Sequence, residues 1–407
     1  MNKKHIPFSP PRMDERIIAE VADTLRSGWI TTGPKTRRFE EMLTAYCGHP
    51  ETVCVNSATA GLELALRWFG VGPGDEVILP AYTYASSANV VVHCGAKPVF
   101  VDIMDDFNID PQQVIEAITP STRAVIPVDI GGWPCDYGLL NKLVASPEAG
   151  KSFRPVNGIQ EKLGRILLLA DAAHSLGAEY KGKKTGNLAD ISVFSFHAVK
   201  NLTTAEGGAI CLNLPEPFSN SAIRDQLRIK ALHGQTKDAL TKSHLGSWQY
   251  DIIEPGYKYN MTDLQASIGI IELERYERDM LKRRREIFHL YAKLLQSHDW
   301  AVIPPCESEE KRSSFHVFLL RVKDIDESQR NRIIEEIAKE NVAVNVHFRP
   351  LPMMSWYVQQ GYDIAGFPRS YKNYSQEISL PVYYDLTDED VATVADAVVR
   401  AVNSVTG

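Results

Sequence analysis

Lys200 closes the apolar run ISVFSFHAV and is followed at once by NLTTAEGG, a turn rich in hydroxyls and glycine that leads into a second apolar run. Lysine is almost never buried without a partner. Desolvation or a nearby cation lowers the pKa of such an amine and makes it a nucleophile able to form a Schiff base with a carbonyl group. Asp171 closes ILLLAD, the most hydrophobic run of the chain, where an unpaired carboxylate is costly. Something cationic should meet it, and His174 lies shortly after; a structural salt bridge is the competing reading. Upstream, NSATAGLELAL opens a helix at Ser57, Thr59, Ala60 and Gly61. Backbone N–H groups at a helix start, beside a hydroxyl, suit a phosphate, although an ordinary N-cap uses the same residue types. Tyr84 stands just past EVILP, where a flat group could stack on its ring or the ring could simply pack. Ser195 and His197 precede Lys200 at near-alternating positions.

One cofactor asks for these features together. Pyridoxal phosphate needs a lysine for its aldehyde, a carboxylate for its ring nitrogen and a cradle for its phosphate. Lys200 and Asp171 supply the first two; Thr59 and Ala60, helped by Ser195, supply the third. Each signal alone is weak, and their joint placement at strand ends carries the reading. Thr203, Thr204, Gly207 and Gly208 are expected to shape the turn that presents the lysine rather than to take part in chemistry.

Such a set works only if the fold gathers it. From about Thr52, short apolar runs alternate with helical segments. The strand candidates are TVCVNS, EVILP, KPVFVD, AVIPVD, ILLLAD, ISVFSF and GAICLN; residues 61–69, 86–93 and 111–118 are the early helices. Nearly continuous apolar strands in βα alternation predict a mainly parallel sheet covered on both faces, with functional groups at the carboxyl ends of its strands. The predicted fold class is α/β, with a large domain over residues 1–260 and a smaller C-terminal α+β domain over 261–407. The second half should hold a long charged helical stretch from Asp263, strands HVFLLRV and VAVNVHF, a helix SQRNRIIEEIAKEN and a final helix from Asp388. Residues 143–165 are polar and read as a surface loop insertion, and residues 241–254 as a polar loop.

Composition narrows the classes further. A chain of 407 residues, 44% hydrophobic, can bury a large core. A net charge of −7 with the two signs interspersed speaks against nucleic acid or a membrane surface as partner. No apolar run approaches the roughly 18–20 residues of a membrane helix. Prolines and charges in MNKKHIPFSPPRMDERII occupy the place of a signal peptide's apolar stretch. The six cysteines are scattered without a CxxC pair, which predicts buried free thiols in a reducing cytoplasm rather than a metal site or disulfide framework. No GxGxxG turn follows the first strand, which removes an NAD-dependent oxidoreductase.

The motifs SGWITTGPKTRRFE, NSATAGLELAL, GDEVILPAYTYASSAN, GAKPVFVDI, ADAAHSLGAEYKGKKTG, FSFHAVKNLTTAEGGAI and PGYKYNMTDLQASIG occur in that order. From about Ile6 to the C-terminus the chain resembles the DegT/DnrJ/EryC1 family of pyridoxal-phosphate-dependent nucleotide-sugar aminotransferases, of fold type I. The nearest likeness is to members that aminate the 4-keto group of UDP-linked sugars. The resemblance implies ping-pong transfer of an amino group from L-glutamate to a nucleotide-linked keto sugar, in surface polysaccharide, lipopolysaccharide or glycan biosynthesis. It also implies a homodimer with two active sites at the subunit interface.

Carried over by position, Lys200 resembles the lysine joined to the cofactor and Asp171 the partner of its ring nitrogen. Thr59, Ala60 and Ser195 match the phosphate contacts, Tyr84 the aromatic on one ring face and His174 the residue beneath the other. Where many members read GYNYRM this chain has GYKYNM. In the family that segment reaches the neighbouring subunit's cofactor phosphate, and here either Lys258 or Asn260 could do so. Thr31 and Thr32 in GWITTGP, and His347 and Arg349 in NVHFRPL, are candidates for the substrate, a solvated strand end being the competing reading of the second pair. A dehydratase of the same fold carries histidine in place of the lysine, and a non-catalytic regulator need not keep the nucleophile. Lys200 speaks against both.

Overall fold

Residues 4–237 and 248–407 are described by the computed structural model; Met1–Lys3 of the N-terminal stretch and residues 241–247 of the expected polar loop lie outside the described residues. After two helices, α1 (Glu15–Ser27) and α2 (Pro34–Cys47), each apolar run becomes a strand: β1 (Glu51–Val55), β2 (Glu76–Pro80), β3 (Lys97–Val101), β4 (Thr122–Val125), β5 (Leu167–Asp171), and, beyond the two-residue strands β6 (Glu179–Tyr180) and β7 (Lys183–Lys184), β8 (Ile191–Ser195) and β9 (Gly208–Leu212). They form a seven-stranded sheet in the order β1-β9-β8-β5-β4-β2-β3. The pairings from β8 through β5, β4 and β2 to β3 are parallel, whereas β9 runs antiparallel to both β8 and β1. Helices α3 (Ala58–Trp68), α4 (Ala85–His93) and α5 (Pro111–Glu116) connect the early strands as the alternation predicts. The close approach of α3 to the sheet depends on a missing side chain. A Cβ on Gly208 would lie 2.6 Å from the Ala58 nitrogen and from the Ser57 carbonyl carbon, backbone atoms that cannot move aside alone.

Residues 143–165 are not a loop. The end of α6 (Tyr137–Val144) is followed by α7 (Pro147–Ser152), capped by Ser146, and α8 (Gly158–Leu163), capped by Asn157. Ala149, Phe153 and Gln160 are buried, and the amides of Asn157 and Gln160 donate to the Phe69 carbonyl at 3.2 and 3.1 Å. The segment thereby closes the carboxyl end of α3, which its polar composition concealed.

The chain continues through α9 (Asn220–Ala231) and α10 (Asp263–Arg275), a π-helical turn at Tyr276–Met280, and α11 (Leu281–Leu295). Strands β10 (Ala301–Val302), β12 (Phe318–Val322) and β13 (Glu377–Leu380) make a second, antiparallel sheet, while β11 (Lys311–Arg312) pairs with β6. Helices α12 (Glu327–Lys339), α13 (Ser355–Gln359), α14 (Pro368–Gln376) and α15 (Asp388–Thr406) complete this half. The expected strand VAVNVHF does not form. Among the described residues it makes two isolated bridges, Val342 with Ile6 and Asn345 with Ser379, because the backbone leaves β13 after one pairing and carries His347 into the lining of a cavity.

Among the contacts that tie the halves together, one completes a helix. The Asp263 carboxylate accepts N–H bonds from Gly33, Lys35 and Thr36 at 2.8–3.0 Å, capping α2, whose own N-cap residue is a glycine without a side chain to do so. Among the described residues no helix is long and apolar enough to cross a membrane. All six cysteines are free thiols.

Candidate active site

The carboxyl ends of β2, β5 and β8 open into one cavity of about 430 Å³. Thr59, Tyr84, Asp171, His174, Ser195, Lys200 and His347 all line it. Lys200 is delivered by a tight turn, with its N–H donating to the His197 carbonyl at 2.9 Å and Thr204 N–H returning to Phe196 at 2.9 Å. The Thr203 hydroxyl also donates to Phe196 and accepts from Ala205 N–H, so both threonines are used up in the turn. The Lys200 amine makes no hydrogen bond or ion pair among the described residues. Burial lowers its pKa to about 8, with Asp171 pulling weakly the other way. The neutral amine, which is the nucleophile, is therefore a far larger share of the lysine population near neutrality than for an ordinary lysine, though still the minor one.

Asp171 is buried and accepts from Ser87 Oγ at 2.7 Å and from Ala173 N–H at 3.2 Å. Ser87 gives its proton to the carboxylate, so Thr83 Oγ1, at 2.9 Å, is the donor to Ser87. The expected cationic partner is missing: among the described residues Asp171 forms no ion pair. Burial raises its pKa, and the opposing pull of Ser87, Ala173 and Lys200 does not cancel that rise. His174 is not the missing cation. Its Nδ1 accepts from Gly131 N–H at 3.3 Å, and its ring lies 4.4 Å from that of His316 and 5.7 Å from that of Phe348. Burial, then the charge of Lys200 and the neighbouring His347, hold its pKa well below the usual histidine range, so the ring is neutral and offers a flat face.

At the start of α3 the two readings prove compatible. Ser57 Oγ accepts from Ala60 N–H at 3.1 Å as an ordinary cap, while Ser57, Ala58 and Thr59 face the cavity. Ala60 itself does not line it. Tyr84 is 61% exposed, an unusual state for a large aromatic ring at a cavity wall.

Five other expected residues lie outside the cavity lining. Asn260 Nδ2 donates to Thr32 Oγ1 at 2.6 Å, and that hydroxyl donates to the Met261 carbonyl at 2.5 Å. The Thr31 carbonyl accepts from Asp263 N–H. Arg349 and Lys258 are exposed. The rings of Tyr257 and Tyr259 stack at 5.0 Å, with Arg67 over Tyr257 and Glu63 against the Tyr259 hydroxyl, leaving Lys258 between them on the opposite side of the strand-like segment.

The sequence reading passed over Phe8, Ser87, His316 and Phe348. Ser87 stands one helical turn beyond Thr83, and that spacing was a usable signal. The other three come from remote parts of the chain and carry none.

Residues 11–150 and 151–399 match the model of the DegT/DnrJ/EryC1/StrS aminotransferase family. The chain belongs to this family. Spr1654 from Streptococcus pneumoniae, assigned provisionally as a sugar aminotransferase, is 44% identical with a TM-score of 0.94, over 98% of this chain and 100% of its own. That protein has been solved in forms with pyridoxal phosphate and with its amino counterpart, pyridoxamine phosphate. An uncharacterized protein of Methanocaldococcus jannaschii, MJ1066, is 41% identical over 99% of both chains. SpsC, a spore coat polysaccharide biosynthesis protein of Bacillus subtilis, is 39% identical over 97% of this chain and 96% of its own. The aminotransferase membership covers both halves of the fold, and the break between the matched segments falls in α7.

Proposed function

We propose that the protein is a pyridoxal-phosphate-dependent aminotransferase that moves an amino group from L-glutamate to a nucleotide-linked keto sugar, at C4 of the sugar. The observation that carries this reading is one cavity holding a depressed lysine without a partner and a buried carboxylate without a cation. Each lacks what the same cofactor has, an aldehyde for the amine and a protonated ring nitrogen for the carboxylate. Thr59 and Ser195 stand where its phosphate would be held, with Tyr84 and His174 as the flanking faces. Bound there, the cofactor supplies an aldehyde with which amines condense and a ring that accepts electrons.

The chain's own groups do the rest. Lys200 holds the cofactor between turnovers, and once displaced its amine takes the proton from the donor's α-carbon. In the second half-reaction it delivers a proton to the carbon that was the sugar's carbonyl. Asp171 keeps a proton on the ring nitrogen throughout. SpsC, by its name, and the family resemblance support a place in cytoplasmic supply of amino sugars for surface polysaccharide. The test is reduction with borohydride followed by peptide mapping: the pyridoxyl adduct is expected on Lys200 alone. An adduct on Lys183 or Lys258 would overturn the assignment. An amination screen over nucleotide-linked keto sugars then identifies the acceptor.

The site is proposed to be shared between two copies of the chain, and Lys258 rather than Asn260 to reach the partner's phosphate. Asn260 is held by Thr32 of its own chain, whereas Lys258 is exposed and has no hydrogen bond through its amine among the described residues. Losing a charge-assisted phosphate contact should weaken cofactor affinity roughly tenfold or more in Lys258→Ala. Asn260→Ala should leave that affinity nearly unchanged. Mixing Lys200→Ala with Lys258→Ala, after subunit exchange, should restore activity above either parent, since one site of each mixed dimer is intact. No recovery after proven exchange would sink the shared site.

A further inference from the structure

His347 reaches the cavity from the smaller half of the fold, and what stands behind it forms a chain of three groups. Its Nδ1 lies 2.9 Å from Ser379 Oγ, and Ser379 Oγ lies 2.5 Å from Glu377 Oε1. The other carboxylate oxygen, Oε2, accepts the backbone N–H of His347 at 3.0 Å. Glu377 and Ser379 are fully buried on β13, two positions apart and so on the same face of the strand. The imidazole is clamped as well: Phe8 stacks on it at 5.5 Å and 18°, and the Tyr82 hydroxyl donates to the His347 carbonyl at 2.6 Å. A carboxyl, a hydroxyl and an imidazole are thus in contact, with one end sealed in the core and the other lining the cavity, an arrangement able to pass a proton.

We infer that Glu377, acting through Ser379, decides which nitrogen of His347 carries its proton, and so whether His347 meets the substrate as an acceptor or as a donor of a hydrogen bond. With Glu377 ionised, Ser379 donates to the carboxylate and accepts from Nδ1–H, leaving Nε2 with a bare lone pair. With Glu377 protonated every bond reverses: the acid donates to Ser379, Ser379 donates to Nδ1, and Nε2 carries the proton. The change balances as uptake of one proton, entering at Nε2 from the cavity, passing from Nδ1 to Ser379 and from Ser379 to the carboxylate. Glu377 is a positioning residue, and this role deepens the keto-sugar reading, on which the meaning of an acceptor or donor at Nε2 rests.

The surroundings fit such a relay. Burial pushes Glu377 up to about 8, against the pull of Ser379, the His347 N–H and Arg330. Burial and the charge of Lys200 hold His347 down at about 4, so its ring stays neutral and only the position of its proton changes. Facing Glu377 are Arg330 from α12, which donates to the Glu377 and Tyr374 carbonyls, Arg321 directly across on β12, and Tyr82 from the end of β2. Neither arginine forms an ion pair with the Glu377 side chain among the described residues.

The experiment is nitrogen NMR of the full-length protein labelled with ¹⁵N-histidine and titrated with acid, His347 being assigned by the signals lost in His347→Gln. In the wild type the protonated nitrogen should change from Nδ1 to Nε2 as the pH falls through the Glu377 ionisation. Glu377→Gln should hold Nε2–H throughout. The backbone N–H of His347 forces the amide oxygen to its side, so the amide N–H₂ faces Ser379 and mimics the protonated acid. Ser379→Ala should abolish the pH dependence even if Glu377→Gln folds poorly. The KM for the keto sugar should change roughly tenfold in Glu377→Gln, the size of one polar contact, with the glutamate half-reaction little affected. A His347 proton position that is the same in the wild type, Glu377→Gln and Ser379→Ala at every pH would overturn the relay. That result is independent of turnover, so it separates failure of the relay from failure of the aminotransferase reading.

Discussion

Lys200→Arg is expected to fold, to bind pyridoxal phosphate without a covalent link, and to lose at least about 10³-fold in turnover, because one group supplies both the nucleophile and the proton carrier. The guanidinium keeps the positive charge that the lysine carries when protonated, so the electrostatics of the cavity change little. What it cannot do is deprotonate near neutrality. The same logic gives a pH dependence. The amine, lowered to about 8 by burial, condenses with an aldehyde only when neutral. Reloading of stripped enzyme should therefore accelerate as the pH rises through that value and level off above it. Absorbance of the bound cofactor follows both. A Lys200→Arg protein with wild-type turnover would end the assignment of this residue.

Asp171→Asn should cost about 10²-fold or more in turnover, the usual loss when a preorganised charge at the reacting centre is removed. Its effect on stability should run the other way. Asp171 is buried without a cation, and burial raises its pKa above that of the unfolded chain. Between those two values the folded protein binds more protons than the unfolded one, so the cofactor-free protein loses stability as the pH rises through that window. Asparagine keeps the shape and can still meet Ser87, but carries no charge to desolvate. Cofactor-free Asp171→Asn should melt at or above the wild-type temperature while its turnover collapses. Melting curves with and without pyridoxal phosphate check this, and a mutant that is both less stable when empty and fully active would contradict it on both counts.

Much of this site was legible because its chemistry sits on one kind of position. Asp171, Ser195 and Lys200 stand at or just past the ends of apolar runs, and a parallel sheet gathers such ends on one edge without any knowledge of the rest of the chain. Groups brought in from elsewhere left no such mark. Phe8, His316 and Phe348 border the cavity from segments far apart in sequence, and a neutral histidine in a packed wall looks like any buried histidine. Residues 143–165 were misread for a local reason: their polarity suggested a loop, while the caps at Ser146 and Asn157 announced two helices. VAVNVHF failed in the opposite sense. Its alternation satisfies the rule for a strand, but the backbone departs to place His347, and position at the site outweighed pairing.

The carboxylate of Asp263 at the head of α2 has a consequence for how the chain is made. Thr36 and its neighbours wait for a cap that lies 227 positions further along. β1 likewise pairs with β9, far downstream. A ribosome releasing this protein therefore exposes α1, α2 and β1 for most of the time of synthesis before their partners emerge. The first fifty residues are therefore expected to be among the last to settle. Contacts so remote slow the final docking, and the apolar faces waiting for it, with Phe39 and Leu43 on α2, are the surfaces a chaperone would meet during that interval.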